Sequence, residues 1–228
     1  MKIYGLNIKS ILNSVTLSSL YSYVSNEKKE KTKCYRNKID AVRTLAAEVL
    51  CRAAIVENLN IKNRDIYFSV NKYGKPYLRF YKNFHFNLSH SGDWVICSID
   101  YKDIGVDIEK VETIDLDISK NFFSPKEYED LISQNPNNQL FYFYDLWTIK
   151  ESYIKASGKG LNLDLRSFSI RIKNGKISLE TENELTNCFF QQYDIAKGYK
   201  MAVCALNSSF PEKIILRTID DLHKTLKS

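Results

Sequence analysis

The chain has 228 residues, 44% of them hydrophobic, with 33 Lys and Arg against 27 Asp and Glu. That length suits one large domain or two small ones sharing a core, and that apolar fraction excludes global disorder. The five cysteines are odd in number and widely spaced, and no CxxC pair occurs. Neither a disulfide framework nor a zinc site is therefore expected, and the reduced thiols of a soluble cytoplasmic protein fit better. Asn7 and Lys9 interrupt the N-terminal apolar stretch, and no run approaches the ~18 apolar residues of a membrane span.

In chain order, the first strong signal is a helix over residues 37–58, with Ile39, Val42, Ala46, Val49, Leu50 and Ala53 on one face. Asn71, Gly74 and Pro76 then supply turn chemistry. "HFNLSHSGDWVICSID" reads as strand, turn, strand, and "GVDIEKV" as another strand. At "FFSPKEYEDL" Ser124 is an N-cap, Pro125 the first helical residue and Glu127 the partner in a capping box. This helix is expected to end near "QNPNN", and a longer one to run from Gln139 to Ala156. Short strands follow, and from Phe210 one more strand and a frayed end are expected. Each half contains a long helix, a Gly-Lys turn and a closing run, "VICSI" at 95–99 and "AVCAL" at 202–206. The repeat predicts an α+β fold of two similar halves, 1–104 and 105–228, related by a pseudo-twofold, with a cleft between them as the ligand site.

Asp107 and Glu109 alternate with Val106 and Ile108, so both carboxylates share one face of their strand. Two such acids repel unless a cation sits between them; the alternative is a solvated edge strand. Trp147, Glu151 and Lys155, spaced i, i+4, i+8, form a stripe on the long helix, with Lys150 about 100° away. Read alone, the stripe describes first a surface i, i+4 Glu–Lys pair. Three carboxylates without His or Cys at ligand spacing suit a hard cation, magnesium or its substitute manganese.

Residues 28–43 carry seven Lys and Arg against two acids. Cations at a helix start oppose the macrodipole, which is easier to understand if they face phosphate. Lys75 sits in a turn that is able to hold it at a cleft, and His90 ends a strand. Neither GxxxxGK[ST] nor GxGxxG occurs, so the P-loop and Rossmann modes are not indicated.

The segments "FNLSHSGDWVICSID", "IGVDIEKV", "FFSPKEYEDL" and "LWTIKESYIKASGKGL", in this order, resemble the surfactin-type phosphopantetheinyl transferases. The similarity runs from "MKIYG" to "GYKMAVCAL", and its signature is G-[VI]-D-x-E followed by W-x-x-K-E-x-x-x-K. The resemblance implies a cytoplasmic monomer that moves the phosphopantetheine arm of coenzyme A, its co-substrate, onto a serine of a carrier protein. The partners are apo peptidyl or acyl carrier domains of nonribosomal peptide, polyketide or fatty acid synthases, as in antibiotic biosynthesis, and adenosine 3′,5′-bisphosphate is released. It implies Asp107, Glu109 and Glu151 as magnesium ligands, and Lys28, Lys31, Arg43, Lys75 and His90 as phosphate contacts. Thr44, Tyr73, Gly74 and Ser89 fall around the adenine and pyrophosphate, and Lys150 and Lys155 near the pyrophosphate.

On this reading Glu151 is the expected base for the attacking hydroxyl and Lys155 offsets charge on the leaving phosphate. The segment Val111 to Tyr128 is the expected carrier contact, through Phe122, Phe123 and Tyr128 or with these as core. Two other readings stand beside it. One is a nucleic-acid module using residues 28–43; the other is a metal-dependent pyrophosphate hydrolase using the same acids.

Overall fold

The structure, a computed structural model, describes residues 1–11 and 14–227. The first half comprises β1 (Lys2–Asn7), α1 (Ser14–Leu20), α2 (Asn26–Lys33), α3 (Lys38–Leu59), β2 (Phe68–Val70), β3 (Pro76–Leu78), β4 (His85–Ser91) and β5 (Trp94–Asp100). The second comprises β6 (Ile104–Lys110), α4 (Ser119–Phe122), α5 (Pro125–Ile132), α6 (Pro136–Ser157), β7 (Phe168–Lys173), β8 (Lys176–Thr181), β9 (Phe189–Gln192) and β10 (Tyr199–Ala205). β11 (Ile215–Arg217) and α7 (Ile219–Lys227) close the chain.

The sheets expose the repeat. One is ordered β11-β1-β5-β4 and the other β6-β10-β9. Without β11, which joins parallel to β1, both are antiparallel, with the first strand of the half beside the last and the penultimate strand outside. α3 and α6 are the matching long helices, 22 residues each, and each is followed by a two-stranded hairpin. The fold is thus α+β with two similar halves. The second repeat of the strand order starts with β6. The sheets share a core of their own, Ile3 and Ile96 from the first half with Val106, Ile108, Met201 and Val203 from the second.

The helix ends follow from local chemistry. The Asn37 side chain caps α3 by accepting from Ile39 N, and Asn60 ends it in the left-handed region at φ 52°. Val42, Ala46, Val49, Leu50 and Ala53 are buried, but Ile39 is exposed because the first turn overhangs the core. Both halves of the Ser124–Glu127 capping box are present. Pro136 does not trail α5: it opens α6, capped by Asn135. The expected frayed tail is instead α7, whose Ile219, Leu222 and Leu226 join the first core. An i, i+3, i+7 apolar spacing was present in "IDDLHKTL" to signal it.

Gly105 decides how close α6 lies to β6. A Cβ there would stand 2.0 Å from the Ser152 carbonyl oxygen and 2.4 Å from the Ala156 nitrogen, both backbone. Gly105→Ala must therefore lift the helix off the strand. The expected loss is at least the ~1–3 kcal/mol of core overpacking, read as a lower thermal midpoint. An unchanged midpoint contradicts this packing.

Candidate active site

A cleft of about 690 Å³ opens between the halves. Lys28, Lys31, Thr44, Gly74, Ser89 and His90 line it from the first half, and Asp107, Glu109, Trp147, Glu151 and Lys155 from the second. The close approach at Gly105 sets the stripe of α6 against the acid face of β6. Lys155 Nζ donates to Asp107 Oδ1 at 2.6 Å and to Ser89 Oγ at 3.0 Å. Ser89 Oγ in turn donates to Asp107 Oδ1 at 2.9 Å. Asp107 Oδ2 is buried and has no hydrogen-bond partner. Trp147 stacks on Phe143 and meets Phe122 edge-on, which anchors the N-terminal end of the stripe.

The acids are crowded. Burial first, and then the Asp107 charge, push the Glu109 carboxyl up to about 7. The same two causes raise Glu151, with Lys155 opposing them. Among the described residues no three Asp, Glu, His or Cys side chains converge closely enough to hold a metal by themselves. An unpartnered buried carboxylate oxygen beside two acids whose pKa values are raised by burial and by the Asp107 charge is nevertheless what a hard cation would relieve. Magnesium commonly takes only one or two carboxylates and completes its shell with substrate phosphates and water.

Other expected residues lie elsewhere. Lys75 turns away from the cleft and donates to the Ile104 and Ala156 carbonyls at 3.3 and 3.1 Å, tying the β2–β3 turn to the second half. Burial there lowers its pKa. Lys150 is fully buried and donates to both Glu127 oxygens at 2.7 Å and to the Phe168 carbonyl at 3.0 Å. Its ammonium belongs to the core of the second half, not to a pyrophosphate. The Tyr73 ring is exposed under Lys72 and is not part of the cleft lining. Arg43 is not part of the cleft lining and is held by Asp40 at 2.7 Å and by the Gly92 carbonyl at 2.8 Å. His90 titrates below the usual histidine range through desolvation and the charges of Arg43 and Lys155. Phe123 is a core residue against Phe143, whereas Phe122 is only partly buried.

Two family models match the chain in succession. The model "4'-phosphopantetheinyl transferase, N-terminal" matches residues 13–101, and "4'-phosphopantetheinyl transferase superfamily" residues 103–204. The 4'-phosphopantetheinyl transferase ffp of Bacillus subtilis is 47% identical over 97% of this chain and 100% of its own. The 4'-phosphopantetheinyl transferase Sfp of Bacillus subtilis strain 168 is 44% identical over the same shares. The chain belongs to the 4'-phosphopantetheinyl transferase family. Among solved structures, a holo-(acyl-carrier-protein) synthase from Bacillus anthracis is 23% identical at a TM-score of 0.41, over 47% of this chain and 96% of its own.

The transferase cleft also contains groups that sequence reasoning missed. Glu48 lies on its floor, 3.3 Å from Lys28 and bonded at 2.9 Å to the buried Arg52. Its place on α3, one turn after Thr44, was the available signal. Phe68, Phe86 and Leu88 give the cleft an apolar wall; the alternation of "HFNLSHS" was sufficient to show two of them.

The raised Glu109 pKa has a sign. Between the ordinary carboxylate value and about 7, the metal-free native state holds a proton that the unfolded chain releases, so this group's contribution falls as pH rises through that window. Glu109→Gln removes the loss. It should melt close to wild type at pH 5 and above wild type at pH 8, in EDTA. A variant that melts below wild type at pH 8 contradicts the raised value.

Proposed function

We propose that this cleft binds coenzyme A with magnesium and moves the phosphopantetheine arm onto a serine of an apo carrier domain, releasing adenosine 3′,5′-bisphosphate. The observation that carries the reading is the meeting of Lys28, Lys31 and His90 from one half with Asp107, Glu109, Glu151 and Lys155 from the other. Cations for phosphates face acids for a cation, as a polyphosphate ligand requires. Asp107 through Oδ2, Glu109 and Glu151 would hold magnesium, with manganese as a substitute. Magnesium, when bound, supplies charge neutralisation to the pyrophosphate.

Lys155 gives up its bond to Asp107 to neutralise the leaving phosphate. Glu151 accepts the proton of the attacking serine hydroxyl, directly or through one water, and burial and the Asp107 charge, by raising its pKa, make it a stronger base than an ordinary carboxylate. Phe68, Phe86 and Leu88 cover one side of the ligand from water. The carrier docks along Val111–Tyr128, where Ile118 is exposed and Phe122 reaches Trp147. The net charge of +6 favours encounter with an acidic carrier. The protein works as a cytoplasmic monomer; its five cysteines are free thiols.

The experiment measures adenosine 3′,5′-bisphosphate released from coenzyme A with and without an apo carrier. Release that requires the carrier is the expected result. Release without it favours the hydrolase reading. Salt-dependent RNA binding without magnesium favours the nucleic-acid module, although Lys33 and Arg43 of the basic segment are already paired with acids.

A further inference from the structure

β4 and β6 run side by side at the junction of the halves but are not paired in one sheet. Side chains of β4 stand where backbone acceptors would be. Asn87 Oδ1 accepts from Val106 N at 2.9 Å, Ser89 Oγ from Ile108 N at 3.3 Å, and Ser91 Oγ from Lys110 N at 3.0 Å. The two serines do more than replace a carbonyl. Each also donates to the carboxylate one residue earlier on β6, Ser89 to Asp107 at 2.9 Å and Ser91 to Glu109 Oε2 at 2.8 Å. Each hydroxyl therefore grips the main chain of β6 and the neighbouring acid together, which restricts how that acid can turn. One carboxylate oxygen is consumed by the serine. The other, Asp107 Oδ2, has no partner, and among the described residues no hydrogen bond reaches Glu109 Oε1.

We propose that Ser91 is a positioning residue: it holds Glu109 from across the junction of the halves so that Oε1 faces the cleft for a divalent cation. This rests on the reading that the cleft binds coenzyme A with magnesium. Ser91 is the informative member of the pair. Ser89 also contacts Lys155, so its loss has several consequences at once, whereas among the described residues Ser91 Oγ bonds only Lys110 N and Glu109. A free Glu109 must be ordered when the cation arrives, so affinity for the cation should fall without loss of a ligand.

The test titrates Mn²⁺ into the full-length protein with saturating coenzyme A and no carrier, reading free Mn²⁺ by electron paramagnetic resonance. Ser91→Ala should weaken Mn²⁺ binding by about tenfold, the scale of one hydrogen bond to a charged group. Ser91→Thr, which keeps the hydroxyl, should bind nearly as wild type. In a Glu109→Gln background, Ser91→Ala should cost nothing further, because the group it positions is gone. Thermal melts accompany each variant. A Ser91→Ala protein that melts lower yet binds Mn²⁺ as wild type overturns the proposal, since a merely structural tie would behave so. So does a Ser91→Ala effect of equal size with and without Glu109. Wild type that fails to bind Mn²⁺ with coenzyme A present overturns the underlying functional reading instead.

Discussion

Lys150→Met is expected to destabilise the protein by ~3–5 kcal/mol, the cost of leaving a buried charge without its partner. Glu127 is 0% exposed and accepts from Lys150, from Ser124 N at 2.7 Å and from Ile170 N at 2.7 Å. Its carboxylate joins the start of α5 to β7, and Lys150 brings α6 to the same point. Without the ammonium, Glu127 must either stay ionised in the core or take up a proton. Glu127→Gln combined with Lys150→Met removes both charges and should recover much of the loss. Urea denaturation of the two variants decides the matter. The folded fraction of Lys150→Met should keep a KM for coenzyme A near that of wild type. A variant as stable as wild type with a raised KM would return Lys150 to the phosphates.

Asp107→Asn should lower kcat by roughly 10²- to 10³-fold, the usual cost of removing one preorganised electrostatic group from an active site. Its shape is conserved, Ser89 can still donate to the side-chain oxygen, and Lys155 is partly open to solvent. The melting temperature should therefore change little. The substitution removes the acid whose Oδ2 is buried and unpartnered, and frees Lys155 from its ion pair. Near-normal turnover at saturating magnesium would remove Asp107 from the chemistry.

Much of the frame was legible because it rests on local chemistry. The Ser124–Glu127 capping box, the face of α3 and the alternation of "GVDIEKV" each follow from neighbours in sequence. The stripe of Trp147, Glu151 and Lys155 does line the cleft, because helical spacing alone puts those three together. What stayed hidden depends on partners far along the chain. Lys150 flanks the stripe, but the acid that draws it inward lies 23 residues earlier and is already committed to a cap. Lys75 shares a turn with Gly74, yet its ammonium seeks carbonyls 29 and 81 residues away. The grip of Ser89 and Ser91 on β6 spans 18 and 19 positions, and no periodicity within either strand reveals it. The fold of α7 was missed for a simpler reason: nine residues with two acids look solvated until the first core covers their apolar face.

The most direct measurement is the intact mass of an apo carrier domain incubated with coenzyme A and this protein, in magnesium and in EDTA. The account predicts that the carrier gains one phosphopantetheine in magnesium, gains none in EDTA, and gains it far more slowly with Asp107→Asn. A carrier that stays apo in magnesium with the wild type, or that is modified equally well in EDTA, would contradict it.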